Sequence, residues 1–241
     1  MGRRAAVTGA SRGIGLAIAD ELAQEGVDLA LCARSPHITT VAEELADRHG
    51  VTAAGLPIDL SDADGVQAFA ARSVEILGAV DILVNNAGGI PRGSLHEVGE
   101  RSAWEAEYNT KLWGYVELTR LLISEMVARR DGVVINIIGL GGADPRADYV
   151  VGSLANAALM NFTRNAARAH AADGVRVVGI NPGPIDTGRS RSFHRGALEP
   201  RTATPMGRLG TPAEVASVAV FLASPRASFV TGAVLHVAGG D

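Results

Sequence analysis

The chain has 241 residues, of which 47% are hydrophobic and 20% charged, with a formal net charge of −4. That is chain enough for one open α/β sheet with a sizeable core, and the small negative balance gives no footing for a nucleic-acid or anionic-membrane partner. The one cysteine, Cys32, excludes an internal disulfide, which fits a reducing compartment.

Residues 4–8 are a short apolar run that predicts a first strand, followed by a glycine-rich turn. Apolar residues then recur at helical spacing over 14–25 and stop at Gly26, a natural helix end. A strand is predicted over 27–33, a helix over 40–49 ending at Gly50, a strand over 52–58, a helix over 63–77 and a strand over 82–85. Residues 102–130 read as one long helix and 132–138 as a Val- and Ile-rich strand. Next come an alanine-rich helix over 154–171, a strand over 175–180 and an irregular, arginine-rich segment over 188–205. Thr211 and Pro212 open a helix over 212–222, and residues 233–237 close the pattern as a strand.

Alternating strands and helices predict a parallel, doubly wound sheet with helices on both faces. Its strands are buried on both sides, which accounts for their nearly continuous apolar character. No linker or low-complexity tract divides the chain, so residues 1–241 are expected to form one domain. The N-terminal residues run straight into a strand, and no segment reaches the ~18 apolar residues of a membrane span. A cytoplasmic protein is expected.

The turn Thr8-Gly9-Ala10-Ser11-Arg12-Gly13-Ile14-Gly15 lies between the first strand and the first helix. A doubly wound sheet holds a dinucleotide there, because glycine admits the pyrophosphate close to the backbone and the helix N-terminus offers unpaired N–H groups. Ala33-Arg34 follows the second strand, where a carboxylate would hold a ribose 2′-hydroxyl. With Arg34 and Arg12 available to pair a 2′-phosphate, NADP(H) is expected over NAD(H).

This turn resembles that of the short-chain dehydrogenase/reductase family, and the resemblance runs to the end of the chain. Asp59-Leu60 resembles the family's adenine-contacting pair, and Asn85-Asn86-Ala87-Gly88 its motif after the fourth strand. Asn109 matches its helix asparagine, and Pro182-Gly183-Pro184-Ile185-Asp186-Thr187 its nicotinamide-side loop. Gly207-Arg208-Leu209-Gly210-Thr211-Pro212 and Ala238-Gly239-Gly240 complete the likeness. The resemblance implies a single Rossmann-type domain. It also implies a small-molecule substrate and a homodimer or homotetramer, for which Ala155, Ala158 and Ala166 would permit close helix pairing.

The family reduces carbonyls with a serine, a tyrosine and a lysine, and its asparagine anchors a water in the proton path. Here Gly139 stands at the serine position, Gly152 at the tyrosine position and Asn156 at the lysine position. Glycine can neither donate a proton nor polarise a carbonyl, and Asn156 can bond a ribose but brings no charge. Tyr149, three residues before Gly152, either packs at the pocket mouth or serves as a displaced acid, with Ser153 and Asp148 as weaker polar candidates. Lys111, the sole lysine, is expected to be solvated or at an interface, since it lies on a different helix face from Asn109.

The histidines at 37, 49, 96, 170, 194 and 236 show no ligand spacing, so no metal is expected. The segment 188–205 corresponds to the family's substrate lid. Arg189, Arg191, His194, Arg195 and Arg201 make it either a solvated loop or a receptor for an anionic substrate or a phosphopantetheine carrier. Three functions follow: a reductase acting on a substrate that needs little acid help, a non-redox enzyme in the same pocket, or a catalytically silent subunit supporting an active relative in a hetero-oligomer.

Overall fold

The computed structural model describes residues 2–188 and 204–240. Seven strands form one sheet: β1 (Arg4–Thr8), β2 (Asp28–Ala33), β3 (Ala53–Pro57), β4 (Ile82–Asn85), β5 (Gly132–Ile137), β6 (Val175–Pro182) and β7 (Val234–Val237). Their order is β3-β2-β1-β4-β5-β6-β7, with every neighbouring pair parallel. The chain order reverses between β1 and β4, which leaves a crevice at the carboxyl ends of those two strands. Every residue of β4 and β5 is buried, as strands covered on both faces must be.

On one face, α1 (Gly13–Gln24), α2 (His37–His49) and α7 (Pro212–Ala223) bury Ile18, Leu22, Ile38, Leu45, Val215 and Leu222. On the other, α3 (Ala63–Leu77), α5 (Gly114–Arg129) and α6 (Val150–His170) bury Phe69, Leu118, Leu122, Met126 and Ala167. The doubly wound sheet with helices on both faces is therefore present. Among the described residues, no helix is long and apolar enough to cross a membrane.

The boundaries depart from the sequence reading by three residues or more in three places. Helix α2 begins at His37 rather than at residue 40, because Ile38 is in phase with Val41, Ala42 and Leu45 and is fully buried. Helix α6 begins at Val150 rather than at 154. Its first turn, Val-Val-Gly-Ser, has poor intrinsic helix propensity, but Val151 packs with Ile90 and Ala155 and holds the turn by burial.

The third departure is the expected helix 102–130, which is not continuous. A 3₁₀ turn (Arg101–Ala103) leads into α4 (Glu105–Tyr108), then a π-helical turn (Asn109–Trp113), and only then α5. A π-turn adds one residue to a helical turn and commonly marks a functional position.

Candidate active site

The crevice is built first by mutual bracing of two loops. Thr8, buried at the end of β1, accepts hydrogen bonds at Oγ1 from the backbone N–H groups of Asn86 and Ala87, both 2.9 Å. Asn86 returns the contact by donating Nδ2 to the carbonyls of Thr8 (2.9 Å) and Gly9 (3.1 Å). Gly9 sits at φ +66°, where a Cβ would stand 2.8 Å from Asn86 Nδ2 and 2.9 Å from Ala87 Cα. Only glycine fits that approach. The Asn86 amide is thus a brace for the turn.

The braced turn borders a cavity of about 610 Å³, within the usual size of small-molecule sites. The turn contributes Gly9, Ser11, Arg12, Gly13 and Ile14, and the end of β2 contributes Arg34. Asp59 and Leu60 come from beyond β3, Asn86, Ala87 and Gly88 from beyond β4, and Thr187 from beyond β6. Gly15 lies behind the turn, under the Gly9 carbonyl. Helix α1 starts at Gly13 with no side-chain cap and no acid in its first turn, so its positive end faces the cavity uncompensated. Arg12 and Arg34 are exposed on the rim and make no ion pair among the described residues. Cys32 also lines the cavity, but burial pushes its thiol up to about 12, so it is not a nucleophile.

The loop after β6 sits at the same edge. The Gly183 N–H donates to Val237 (3.0 Å), Pro182 ends β6, and buried Ile185 bridges to Gly210. None of these three borders the cavity itself. Arg189, Arg191, His194, Arg195 and Arg201 lie outside the described residues.

At the end of β5 the chain is unusually bare. Gly139 takes φ +131° and its N–H donates to Asn181 Oδ1 (3.3 Å), while a Cβ on it would stand 2.9 Å from Asn156 Nδ2. Because α6 starts at Val150, Gly152, Ser153 and Asn156 all lie inside the helix, and Tyr149 is its N-cap. The Tyr149 ring folds back over Gly152 and fills the place a Cβ would take. Gly141 faces the same ring and Ser153 Oγ, each 3.1 Å from where its Cβ would be. Ser153 Oγ and Asn156 Oδ1 are buried with no hydrogen-bond partner among the described residues. Buried polar atoms without a partner are uncommon, and each of these calls for one, from water or from a bound molecule.

Lys111 corrects the sequence reading. It is neither solvated nor at an exposed face: its side chain is buried, and Nζ donates to the Ile138 carbonyl at 2.6 Å and lies 3.5 Å from that of Ile137. Its Cβ packs on Gly88, at the cavity wall. Asn109 and Lys111 of the π-turn do point to different faces, and it is the Lys111 face that meets the end of β5. Asn109, by contrast, makes no side-chain hydrogen bond among the described residues, so Lys111 is the residue that this turn sends to the end of β5. Composition carried a signal for it: the chain has 21 arginines and one lysine.

Tyr115 completes the group. Its hydroxyl donates to the Ile137 carbonyl (3.0 Å), and Lys111 Nζ lies 5.8 Å from its ring centroid. Burial pushes the Tyr115 hydroxyl well up, and the nearby Tyr149 adds to that shift. Farther in, Asn85 Nδ2 donates to Asn136 Oδ1 (2.9 Å), and Asn136 Nδ2 to Thr163 Oγ1 (3.0 Å). This ladder ties β4 and β5 to α6 and fixes the helix that carries Asn156.

Comparison with known proteins agrees across the whole chain. A family model described as enoyl-(acyl carrier protein) reductase matches residues 9–241. A 3-oxoacyl-[acyl-carrier-protein] reductase of Vibrio cholerae is 37% identical over 246 residues, covering 99% of this chain and 97% of that protein. A cis-4-hydroxycyclohexanecarboxylate dehydrogenase of Sinomonas cyclohexanicum is 37% identical over 240 residues, covering 99% and 96%. Among solved structures, an NADPH-dependent reductase involved in bacilysin biosynthesis superposes with a TM-score of 0.93 at 30% identity, covering 99% and 97%. L-Sorbose reductase from Gluconobacter frateurii, complexed with NADPH and L-sorbose, gives 0.92 at 30% identity, covering 99% and 95%.

Proposed function

The chain belongs to the short-chain dehydrogenase/reductase family, and from that membership we propose that it is an NADP(H)-dependent reductase of a small carbonyl compound with a rebuilt proton-transfer centre. The observation that carries the cofactor half is the pair Arg12 and Arg34 on the cavity rim, neither engaged in an ion pair among the described residues. Two cations beside a helix N-terminus suit a 2′-phosphate and a pyrophosphate. The residues present fit a dinucleotide. The Gly9 turn has no room for a side chain, the cavity has the right size, and buried Asn156 Oδ1 lacks a partner.

In this reading the α1 N-terminus and the 9–15 turn hold the phosphates, Arg34 and Arg12 the 2′-phosphate, and Asp59 and Leu60 the adenine side. Ala87, Gly88 and Thr187 flank the nicotinamide side, where Asn156 offers an acceptor for a ribose hydroxyl. The cofactor supplies hydride, and the protein supplies position, exclusion of water and the proton. Gly139, Gly152 and Asn156 then stand at the family's serine, tyrosine and lysine positions. Tyr149, whose ring covers Gly152, becomes the available proton-bearing hydroxyl.

Titration with NADPH and with NADH, followed by nicotinamide fluorescence and calorimetry, tests the reading. Binding of NADPH at least tenfold tighter than NADH is the expected result. No binding of either would sink the redox reading.

A further inference from the structure

The centre lacks a charge at position 156, yet a buried cation stands beside it. The Lys111 ammonium is held 2.6 Å from the Ile138 carbonyl, one residue before Gly139. The Asn156 amide closes on Gly139, with Nδ2 2.9 Å from where a Cβ would stand. Ser153 Oγ and Asn156 Oδ1 wait nearby without partners among the described residues. Keeping an ammonium out of water is costly and needs a return. A chain that otherwise uses only arginine has placed its one lysine here.

We propose that Lys111 is the cation of the reaction centre: its ammonium replaces the charge absent at Asn156 and stabilises the oxygen on which negative charge develops when a carbonyl accepts hydride. This rests on the NADP(H) reading above. The cavity runs from Arg34 and Asp59 on the adenine side to Gly88 and Thr187, and Lys111 packs against Gly88 toward β5, on the nicotinamide side. With NADPH bound, the carbonyl carbon would gain the hydride that NADPH loses on becoming NADP⁺, the carbonyl π electrons would move onto oxygen, the Tyr149 phenol would give its proton to that oxygen, and one proton from solvent would restore the phenol. A preorganised ammonium costs no reorganisation at that moment, and losing one such group typically lowers kcat by about 10²–10³-fold. Titratable groups near this spot among the described residues include Tyr115, Tyr108 and Asp148. Tyr115 and Tyr108 are both pushed up by burial, and Asp148 is paired with Arg92 at 2.9 Å and Arg146 at 3.5 Å.

The two oxidation states of the cofactor give a test that needs no substrate, because NADP⁺ carries a positive nicotinamide ring and NADPH does not. An ammonium at the centre repels the ring cation. Calorimetry on the wild type, Lys111→Met and Lys111→Arg gives the ratio of the NADP⁺ to the NADPH dissociation constant. The ratio is expected to fall about 3–10-fold in Lys111→Met and to stay within about twofold in Lys111→Arg. With lysine labelled at ¹³Cε, the wild type gives a single lysine side-chain resonance, which is expected to move on adding NADP⁺. A ratio unchanged in Lys111→Met overturns the proposal. If that variant does not fold, a lysine resonance indifferent to NADP⁺ overturns it instead. Failure of the wild type to bind either nucleotide removes the cofactor reading, and this proposal with it.

Discussion

The ring of Tyr149 occupies the volume into which a side chain at Gly152 would project. The two positions are therefore exclusive: a residue larger than glycine at 152 must push Tyr149 off the helix. Gly152→Ala is expected to destabilise the protein by about 1–3 kcal/mol, the usual cost of overpacking, although alanine is the better helix former. Urea unfolding measures this. Tyr149→Ala in the same background should recover most of the loss, a non-additivity that a remote pair would not show.

Arg34 is expected to read the cofactor rather than support the fold, since it is exposed and makes no ion pair among the described residues. Arg34→Ala should weaken NADPH about 10–100-fold, as loss of one charge-assisted contact implies. NADH should change by less than about threefold. Thermal midpoints without nucleotide should stay unchanged, and fluorescence titration with each cofactor gives the contrast.

Asp81 is a buried anchor beneath the sheet. It accepts from Arg4 Nε and a second Arg4 guanidinium nitrogen, both 2.9 Å, from the Arg4 backbone N–H at 3.1 Å and from Arg129 at 3.3 Å. Burial alone would raise its carboxyl, but the Arg4 hydrogen bonds and the charges of Arg4 and Arg129 outweigh it and hold the carboxyl below its ordinary value. A depressed carboxyl stabilises the fold above its unfolded value of about 3.9 and loses that contribution as pH falls through the lower folded value. Asp81→Asn should cost about 2 kcal/mol at neutral pH, and the gap to the wild type should close below pH ~4. Denaturant melts at pH 7 and pH 3 test this.

The start of α7 carries a second acid-sensitive contact. Thr211 Oγ1 accepts from the Glu214 N–H, and Glu214 accepts from the Thr211 N–H at 2.7 Å and from Arg208 at 2.6 and 2.9 Å. Arg208 first and the Thr211 N–H second draw the Glu214 carboxyl down to about 2. Its contribution is complete above the ordinary glutamate range and fades as pH falls through about 2. Glu214→Gln keeps the cap but loses the ion pair. Its melting temperature should lie below that of the wild type at pH 7 and converge with it near pH 2. Thr211→Ala, which removes the cap itself, should cost about 1 kcal/mol at any pH.

The doubly wound sheet and the glycine-rich turn at its edge were legible because each rests on local signals. The apolar run 82–85 is strand β4 to the residue, and Gly9 and Gly13 border the crevice that alternating strands and helices require. The candidate centre at the end of β5 was less legible, because its geometry is tertiary. Nothing local says that Tyr149 turns back over Gly152, since the helix start at Val150 is held by burial of Val151 against Ile90 rather than by propensity. Lys111 escaped for a related reason: it faces away from Asn109 as the spacing requires, but nothing local says which of the two faces is buried against β5.

That irregular turn also separates two duties of one stretch of chain. Upstream of it, Ala106 and Glu107 look into the cavity, and downstream, Leu118, Leu122 and Met126 pack on the sheet. An unbroken α-helix would couple the two faces rigidly, so that any change of phase on the sheet side would rotate the cavity side as well. The extra residue at Asn109–Trp113 acts as a clutch between them. The sheet-facing half is free to keep its phase while substitutions before the turn remould the pocket, and deletion of one residue within the turn would rotate the upstream half by roughly 100° and carry its cavity-lining side chains out of the cavity.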